Sequence, residues 1–289
     1  MPYAVVDRLR MHYEVTGAGA PVLLVNGLSA PSVSWAYQVE ALAPHFQVIT
    51  FDNRGVGETD LPADPVYTTG RMADDAAGLL RHLAVTRAHV VGASMGGTIA
   101  IELTLRHPRL VRSLTLACTW VDADARFLHT IQSWISLANR VPVEERFRHV
   151  LYPWLFTPAF LARRENVEQA LQRALAYPHQ TRAEAIERQG RGIMAWNGSR
   201  VKRLGAIRVP TLVLVGAEDI LTPPAFARAL ARHIRRARLA VLPGGHGFFL
   251  EHAEAFNRAV LRFLKSVRAH DGAGGPRVRA AARAGRGDR

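Results

Sequence analysis

Val90-Val91-Gly92-Ala93-Ser94-Met95-Gly96-Gly97 decides how this chain is read: an apolar strand end runs into a glycine-flanked serine, and a helical pattern follows. The spacing Gly92-x-Ser94-x-Gly96 is that of a nucleophile elbow, a tight strand-to-helix turn. Such a turn strains the serine backbone and leaves no room for side chains two residues to either side. The serine hydroxyl then stands at the carboxyl edge of a sheet. The next backbone N–H lies at a helix start, where negative charge developing on an oxyanion is stabilised. The bare pattern is common by chance, and its context raises it here.

Outward from this stretch, short continuous apolar runs recur, the pattern of strands buried on both faces of a parallel sheet. They are Pro21–Val25, Phe46–Phe51, His89–Val91, Leu114–Cys118, Thr211–Val215 and Arg238–Leu242. Looser alternation from Tyr3 to Val15 predicts an edge hairpin closed near Gly17-Ala18-Gly19. Helical patterns such as Met72–Leu83 and Thr98–Arg106 separate the strands and are long enough for right-handed crossovers. The predicted fold is therefore α/β, a mostly parallel, doubly wound sheet with helices on both faces.

The alternation breaks once. From about Ala123 to Val201 there is no strand-like run, only helical stretches interrupted by Pro142, Pro153, Pro158 and Pro178. This predicts a helical cap inserted between two strands, just past the sheet edge where open α/β sheets bind ligands. Phe127, Trp134, Trp154, Leu155, Phe156, Phe160 and Trp196 are its candidate pocket-lining residues, the three tryptophans foremost. The expected organisation is a core of residues 1–122 and 202–268, a cap of 123–201, and a basic, disordered tail of 269–289.

The chain has 289 residues and a formal charge of +13, which invites a nucleic-acid reading. The detail weakens it. Only Lys202 and Lys265 are lysines, so 35 of the 37 basic residues are arginine, the bias of a GC-rich coding sequence. The charges are dispersed, with five arginines in the tail, and no nucleic-acid motif accompanies them. A cationic field that gathers small anionic substrates is the better reading. The single cysteine, Cys118, excludes an intramolecular disulfide framework and fits a reducing cytoplasm. The first twenty residues do not read as a signal peptide. No apolar run reaches the length of about 18 residues that a membrane span requires. A cytoplasmic protein with neither nucleic acid nor membrane as partner is expected.

An activated serine needs a base to take its proton and a carboxylate to orient that base. Strand Thr211–Val215 leads into Gly216-Ala217-Glu218-Asp219, which puts Asp219 at the same sheet edge as Ser94, with Glu218 as a neighbouring rival. Strand Leu239–Leu242 leads into Pro243-Gly244-Gly245-His246-Gly247, which puts His246 on a glycine-rich loop at that edge. Each has an ordinary alternative: serine between glycines is a turn residue, Asp219 could cap the helix near Pro223, and loop histidines are usually solvated. Their order Ser, Asp, His, each after its own buried strand, favours Ser94, Asp219 and His246 as a catalytic set. His252 falls within the following helix.

Two N–H donors would form the oxyanion hole: Met95, directly after the serine, and Leu28, from the Asn26-Gly27-Leu28 loop after the first parallel strand. Asn26 is expected to order that turn. Asp52-Asn53-Arg54-Gly55-Val56-Gly57 lacks the lysine and spacing of a phosphate loop and reads as an Asp–Arg pair ordering a loop. No cluster has metal-ligand spacing, so neither a metal nor an organic cofactor is expected. Cys118, ending a buried run, reads as inert core.

Taken together, Asn26-Gly27, Asp52-x-Arg54-Gly55-x-Gly57, Gly92–Gly97, Gly216–Asp219 and Gly245-His246 resemble the α/β-hydrolase superfamily from about Tyr3 to Phe263. Asn26-Gly27 stands where that family usually has His-Gly. The stretch Tyr152–Pro158 and Asn53-Arg54-Gly55 are most similar to its 3-oxoadipate enol-lactonase-like branch. That resemblance implies a serine hydrolase acting through an acyl-enzyme on a small ester or lactone bearing a carboxylate. A carbon–carbon bond hydrolase or a perhydrolase would use the same three residues. Serine at the elbow argues against relatives that use aspartate there, the epoxide hydrolases and haloalkane dehalogenases.

Overall fold

The computed structural model describes residues 2–272, with side chains through Val267. Eight strands form one sheet in the order β1-β2-β4-β3-β5-β6-β7-β8. They are β1 (Tyr3–Val6), β2 (Leu9–Thr16), β3 (Pro21–Val25), β4 (Gln47–Phe51), β5 (Ala88–Ala93), β6 (Val111–Ala117), β7 (Thr211–Gly216) and β8 (Ala237–Leu242). From β4 to β8 neighbouring strands are parallel, with Leu23 opposite both Ile49 and Val90, Val91 opposite Thr115, Leu116 opposite Val213, and Val213 opposite Leu239. β2 joins antiparallel to β4 and to β1. The hairpin turns at Asp7 and Arg8, both at positive φ, and not at Gly17–Gly19, which instead carries β2 into β3. Two successive left-handed residues make the turn that matches strand twist. That conformation is rare for residues with a Cβ, so local sequence did not announce it.

Strand alternation divides the core into two layers. Leu23, Val25, Ile49, Val90, Leu114, Leu116, Val213 and Val215 face one side, where they meet Met72, Ala76 and Leu80 of α2 (Thr69–His82) and Ile99 and Leu103 of α3 (Met95–Arg106). Val22, Leu24, Val48, Val91, Ala93, Leu212 and Leu214 face the other, against Leu42 of α1 (Ala36–Leu42) and Phe256, Val260 and Leu264 of the last helix, Ala253–Gly272. Thr68 caps α2 by accepting from the Arg71 N–H (3.1 Å). β8 departs from its expected burial on both faces: it is the sheet edge, with Leu239 and Val241 exposed.

Between β6 and β7 the chain is helical: α4 (Ala125–Leu137), a π-helical turn Arg146–Leu151, short helices Tyr152–Leu155 and Pro158–Leu161, then Arg164–Ala176 and Ala183–Trp196. Pro153 and Pro158 occupy first-turn positions, where a missing N–H costs nothing. The last helix continues to Gly272, so residues 269–272 of the expected disordered tail are helical backbone, and 273–289 lie outside the described residues. Among the described residues no helix is long and apolar enough to cross a membrane.

Candidate active site

β5 delivers Ser94 into a turn at φ 55°, ψ −124°, and α3 begins on the next residue, three residues earlier than its periodicity predicts. Strain of this kind is held by its surroundings. Ser94 N–H donates to Ala117 (2.9 Å), and its carbonyl accepts from Gly97 N–H (2.9 Å) and the Thr119 hydroxyl (2.8 Å). A Cβ on Gly92 would lie 2.2 Å from the Gly96 carbonyl oxygen, and one on Gly96 would lie 2.0 Å from that of Val25. Only glycine lets strand, turn and helix close to this distance.

Asp219 and His246 come together on the loops after β7 and β8. His246 Nδ1 lies 2.9 Å from Asp219 Oδ2, with both side chains almost fully buried. Asp219 also accepts from the Leu221 and Thr222 N–H groups (2.9 and 2.7 Å) and from the Thr222 hydroxyl (2.8 Å). It thus makes an Asx-type turn and holds the histidine at once, so the two roles weighed for it are compatible. Glu218 is exposed, and His252 is half-exposed beside Glu251. Thr222, whose Oγ1 is 3.1 Å from His246 Nδ1, was missed by sequence reasoning. The signal available was a threonine three residues after the aspartate, just before Pro223-Pro224.

Ser94 and His246 line one cavity of about 630 Å³, which Asn26, Gly27 and Leu28 also line. A Cβ on Gly27 would lie 3.2 Å from Ser94 Cβ and 3.7 Å from its Oγ, so this loop passes directly over the serine. Met95 is fully buried at the first position of α3. Asn26 departs from its expected role: its carbonyl accepts from Asn53 Nδ2 (3.2 Å), but its own carboxamide Nδ2 is buried without a partner. The turn is ordered from the insertion instead. Gln189 Oε1 accepts from Ser29 N–H (2.9 Å), Gln189 Nε2 donates to the Arg54 carbonyl (3.1 Å), and Thr181 Oγ1 donates to the Ser29 carbonyl (2.8 Å).

The expected Asp52–Arg54 pair does not form. Arg54 is buried and bidentate to Asp75 (2.7 and 2.8 Å), whose own burial raises its pKa despite that partner. Asp52 instead accepts from Ser32 N–H, Glu58 N–H and Tyr177 Oη, and meets His12 Nδ1 at 3.2 Å. Asp52 comes directly after β4 and Arg54 lies in the turn that follows, so the two side chains part and each finds its own partner. Cys118 is fully buried, and burial followed by the nearby Asp219 charge pushes its thiol pKa well up.

Trp134 lines the cavity with Leu155, Phe156 and Phe160. Trp154 and Trp196 do not. Trp154 packs against the main core, and Trp196 donates from Nε1 to buried Glu102 (2.8 Å) with its ring edge-on to Trp120. Phe127 stacks obliquely on Trp120, 4.4 Å between centroids. Glu102 supplies the acceptor for the Trp196 indole N–H on the core side, and so draws the ring away from the cavity.

Comparison with known proteins agrees with this architecture. A protein of Azorhizobium caulinodans provisionally named carbamate hydrolase RutD is 35% identical over 275 residues, 92% of this chain and 99% of the relative. The enol-lactonase of Burkholderia xenovorans LB400 superposes with a TM-score of 0.82 at 29% identity, covering 91% of this chain and all of the other. A thermophilic esterase from Thermogutta terrifontis superposes at 0.80 with 28% identity, covering 92% and 98%. The model of the alpha/beta hydrolase fold family matches residues 20–253. With that match spanning most of the chain and relatives of 30% identity or more aligned almost end to end, the chain belongs to the α/β-hydrolase family.

Proposed function

We propose that this protein is a cytoplasmic serine hydrolase that cleaves a small carboxylic ester or lactone through an acyl-enzyme. The observation that carries the proposal is the hydrogen-bonded His246–Asp219 pair opening into the same cavity as a serine held at positive φ. In this reading His246 Nε2 takes the Ser94 proton as Oγ attacks the carbonyl carbon, and the N–H groups of Leu28 and Met95 receive the oxyanion. Asp219 holds the imidazole tautomer and stabilises the imidazolium. His246 then protonates the departing alkoxide, deprotonates the incoming water, and the acyl group leaves as the acid. Residues 123–201 act as the cap over this reaction. The substrate is a small molecule, and neither nucleic acid nor membrane takes part.

Replacing Ser94 by alanine is expected to abolish hydrolysis of p-nitrophenyl acetate at unchanged thermal unfolding. Activity retained in that variant overturns the assignment. Similarity to proteins provisionally named carbamate hydrolases favours a second reading, a carbamate as the acyl substrate. Rates on an enol-lactone, a simple ester, a carbamate and a vinylogous diketone, compared in one panel, separate these chemistries from carbon–carbon cleavage on the same residues.

A further inference from the structure

One wall of the cavity carries a charge that the acyl-transfer steps do not use. Arg146 opens the π-helical turn Arg146–Leu151, is 8% exposed, and lines the cavity together with Trp134, Phe147, Val150 and Leu151. A guanidinium is always protonated and offers five donors. One is used: Nη1 donates to the Ala138 carbonyl at 2.7 Å.

The nearby acids are committed elsewhere. Glu144 pairs with Arg148 (3.1 Å), Glu168 with Arg148 (2.8 Å), and Glu145 with His149 (3.2 Å). Among the described residues no carboxylate pairs with Arg146, and none lines the cavity. Burial pushes its guanidinium pKa down with no counter-charge to oppose it, whereas Arg71, Arg106 and Arg148 are each raised by a carboxylate partner. The other arginine of the cavity, Arg173, is exposed and donates to the Tyr37 hydroxyl.

A buried, unpaired cation is costly unless something compensates it. The cavity that Arg146 lines is where a compensating group can reach it. The planar fork of arginine matches a carboxylate with two parallel hydrogen bonds, which a neutral ester cannot offer.

We propose that Arg146 receives a carboxylate carried by the substrate, so that the enzyme selects anionic esters or lactones, such as half-esters of small dicarboxylic acids. This rests on the hydrolase reading above and narrows its substrate class.

The test compares 4-nitrophenyl hydrogen glutarate with its neutral methyl ester. Wild-type enzyme is expected to favour the acid in kcat/KM by about ten- to a hundredfold, the usual worth of hydrogen bonds to a charged group. In Arg146→Gln that preference should vanish through KM, with the neutral ester changed less than about twofold. Arg146→Lys, which keeps a point charge, should retain part of it. Equal rates on the two substrates in the wild type, or a preference retained in Arg146→Gln, overturns the proposal. Calorimetric titration with glutarate supplies a readout without turnover: binding is expected in the wild type, and little or none in Arg146→Gln. No binding, or equal binding, counts against Arg146 even if ester hydrolysis is found. Binding confined to the wild type, with no ester hydrolysed, upholds the anion site and overturns the hydrolase reading instead.

Discussion

At the scale of single residues, the Asp219 carboxylate takes four hydrogen bonds, and two of its partners are the backbone and side chain of Thr222. Thr222→Val keeps shape and backbone contact but removes the hydroxyl beside His246 Nδ1. If Asp219 and His246 act as proposed, kcat should fall about three- to tenfold with KM little changed, the worth of one ordinary hydrogen bond. An unchanged kcat would make Thr222 a spectator. Cys118 supports a pH prediction with a definite sign. Its folded pKa is raised, so the folded state keeps the proton where an unfolded thiol, near about 8.5, has lost it. The stability this contributes is complete below that unfolded value and is lost as pH rises above it. Wild-type stability measured in urea should therefore decline with pH above about 8.5 by up to about 1.4 kcal/mol per pH unit more than that of Cys118→Ala. Parallel curves for the two proteins would count against it. Iodoacetamide should label Cys118 only after unfolding.

At the scale of elements, the loop over Ser94 is held by the insertion as much as by the sheet. Gln189, on helix Ala183–Trp196, links Ser29 N–H to the Arg54 carbonyl, and Thr181 takes the Ser29 carbonyl. Ser29 itself is at φ 59°, one residue after the proposed oxyanion donor Leu28. Gln189→Leu removes both bonds and leaves two backbone groups unpaired. Leaving a buried group unsatisfied costs about 1–3 kcal/mol, so kcat on p-nitrophenyl acetate should fall about five- to a hundredfold while unfolding stays cooperative. A fall confined to KM would place Gln189 in substrate binding instead. A second tie runs to the His246 loop: Glu251 accepts from Gly245 N–H (3.2 Å) and from the Thr157 hydroxyl. The loops bearing Leu28 and His246 are thus each fastened to the helical insertion.

At the scale of the whole molecule, the insertion is anchored on the far side by a polar contact within the core. Glu102 of α3 is fully buried, accepts from Trp196 Nε1 (2.8 Å) and pairs with Arg200 (2.5 Å). Trp196→Phe preserves the packing against Trp120 but deprives the carboxylate of a donor. A loss of about 1–3 kcal/mol in unfolding free energy is expected, read by chemical denaturation, with the substrate preference unchanged because Trp196 does not line the cavity.

Much of this was legible beforehand because it depends on short-range pattern. Continuous apolar runs of five or so residues announced the parallel strands, and their carboxyl ends located Ser94, Asp219 and His246 on one edge of the sheet. Three kinds of feature were not legible. The hairpin turn used two non-glycine residues at positive φ, Asp7 and Arg8. The partners of Asp52 and Arg54 were chosen by which way a loop residue points. The split among the tryptophans depended on where each indole found its place, Trp134 at the cavity, Trp154 on the core and Trp196 on Glu102.

The α/β sheet, the glycine-flanked turn at Ser94 and the order in which its candidate partners follow could be read along the chain. Each of these is encoded in residues that are neighbours along the chain, where backbone sterics and strand periodicity act. It took the packed molecule to show that Thr222 joins Asp219, that Gln189 clamps the loop over Ser94, and that Arg146 lines the cavity without a carboxylate partner among the described residues. Those outcomes depend on charges and hydrogen-bonding groups brought together from distant parts of the chain, and on which of several possible partners lies within reach once the helices have packed.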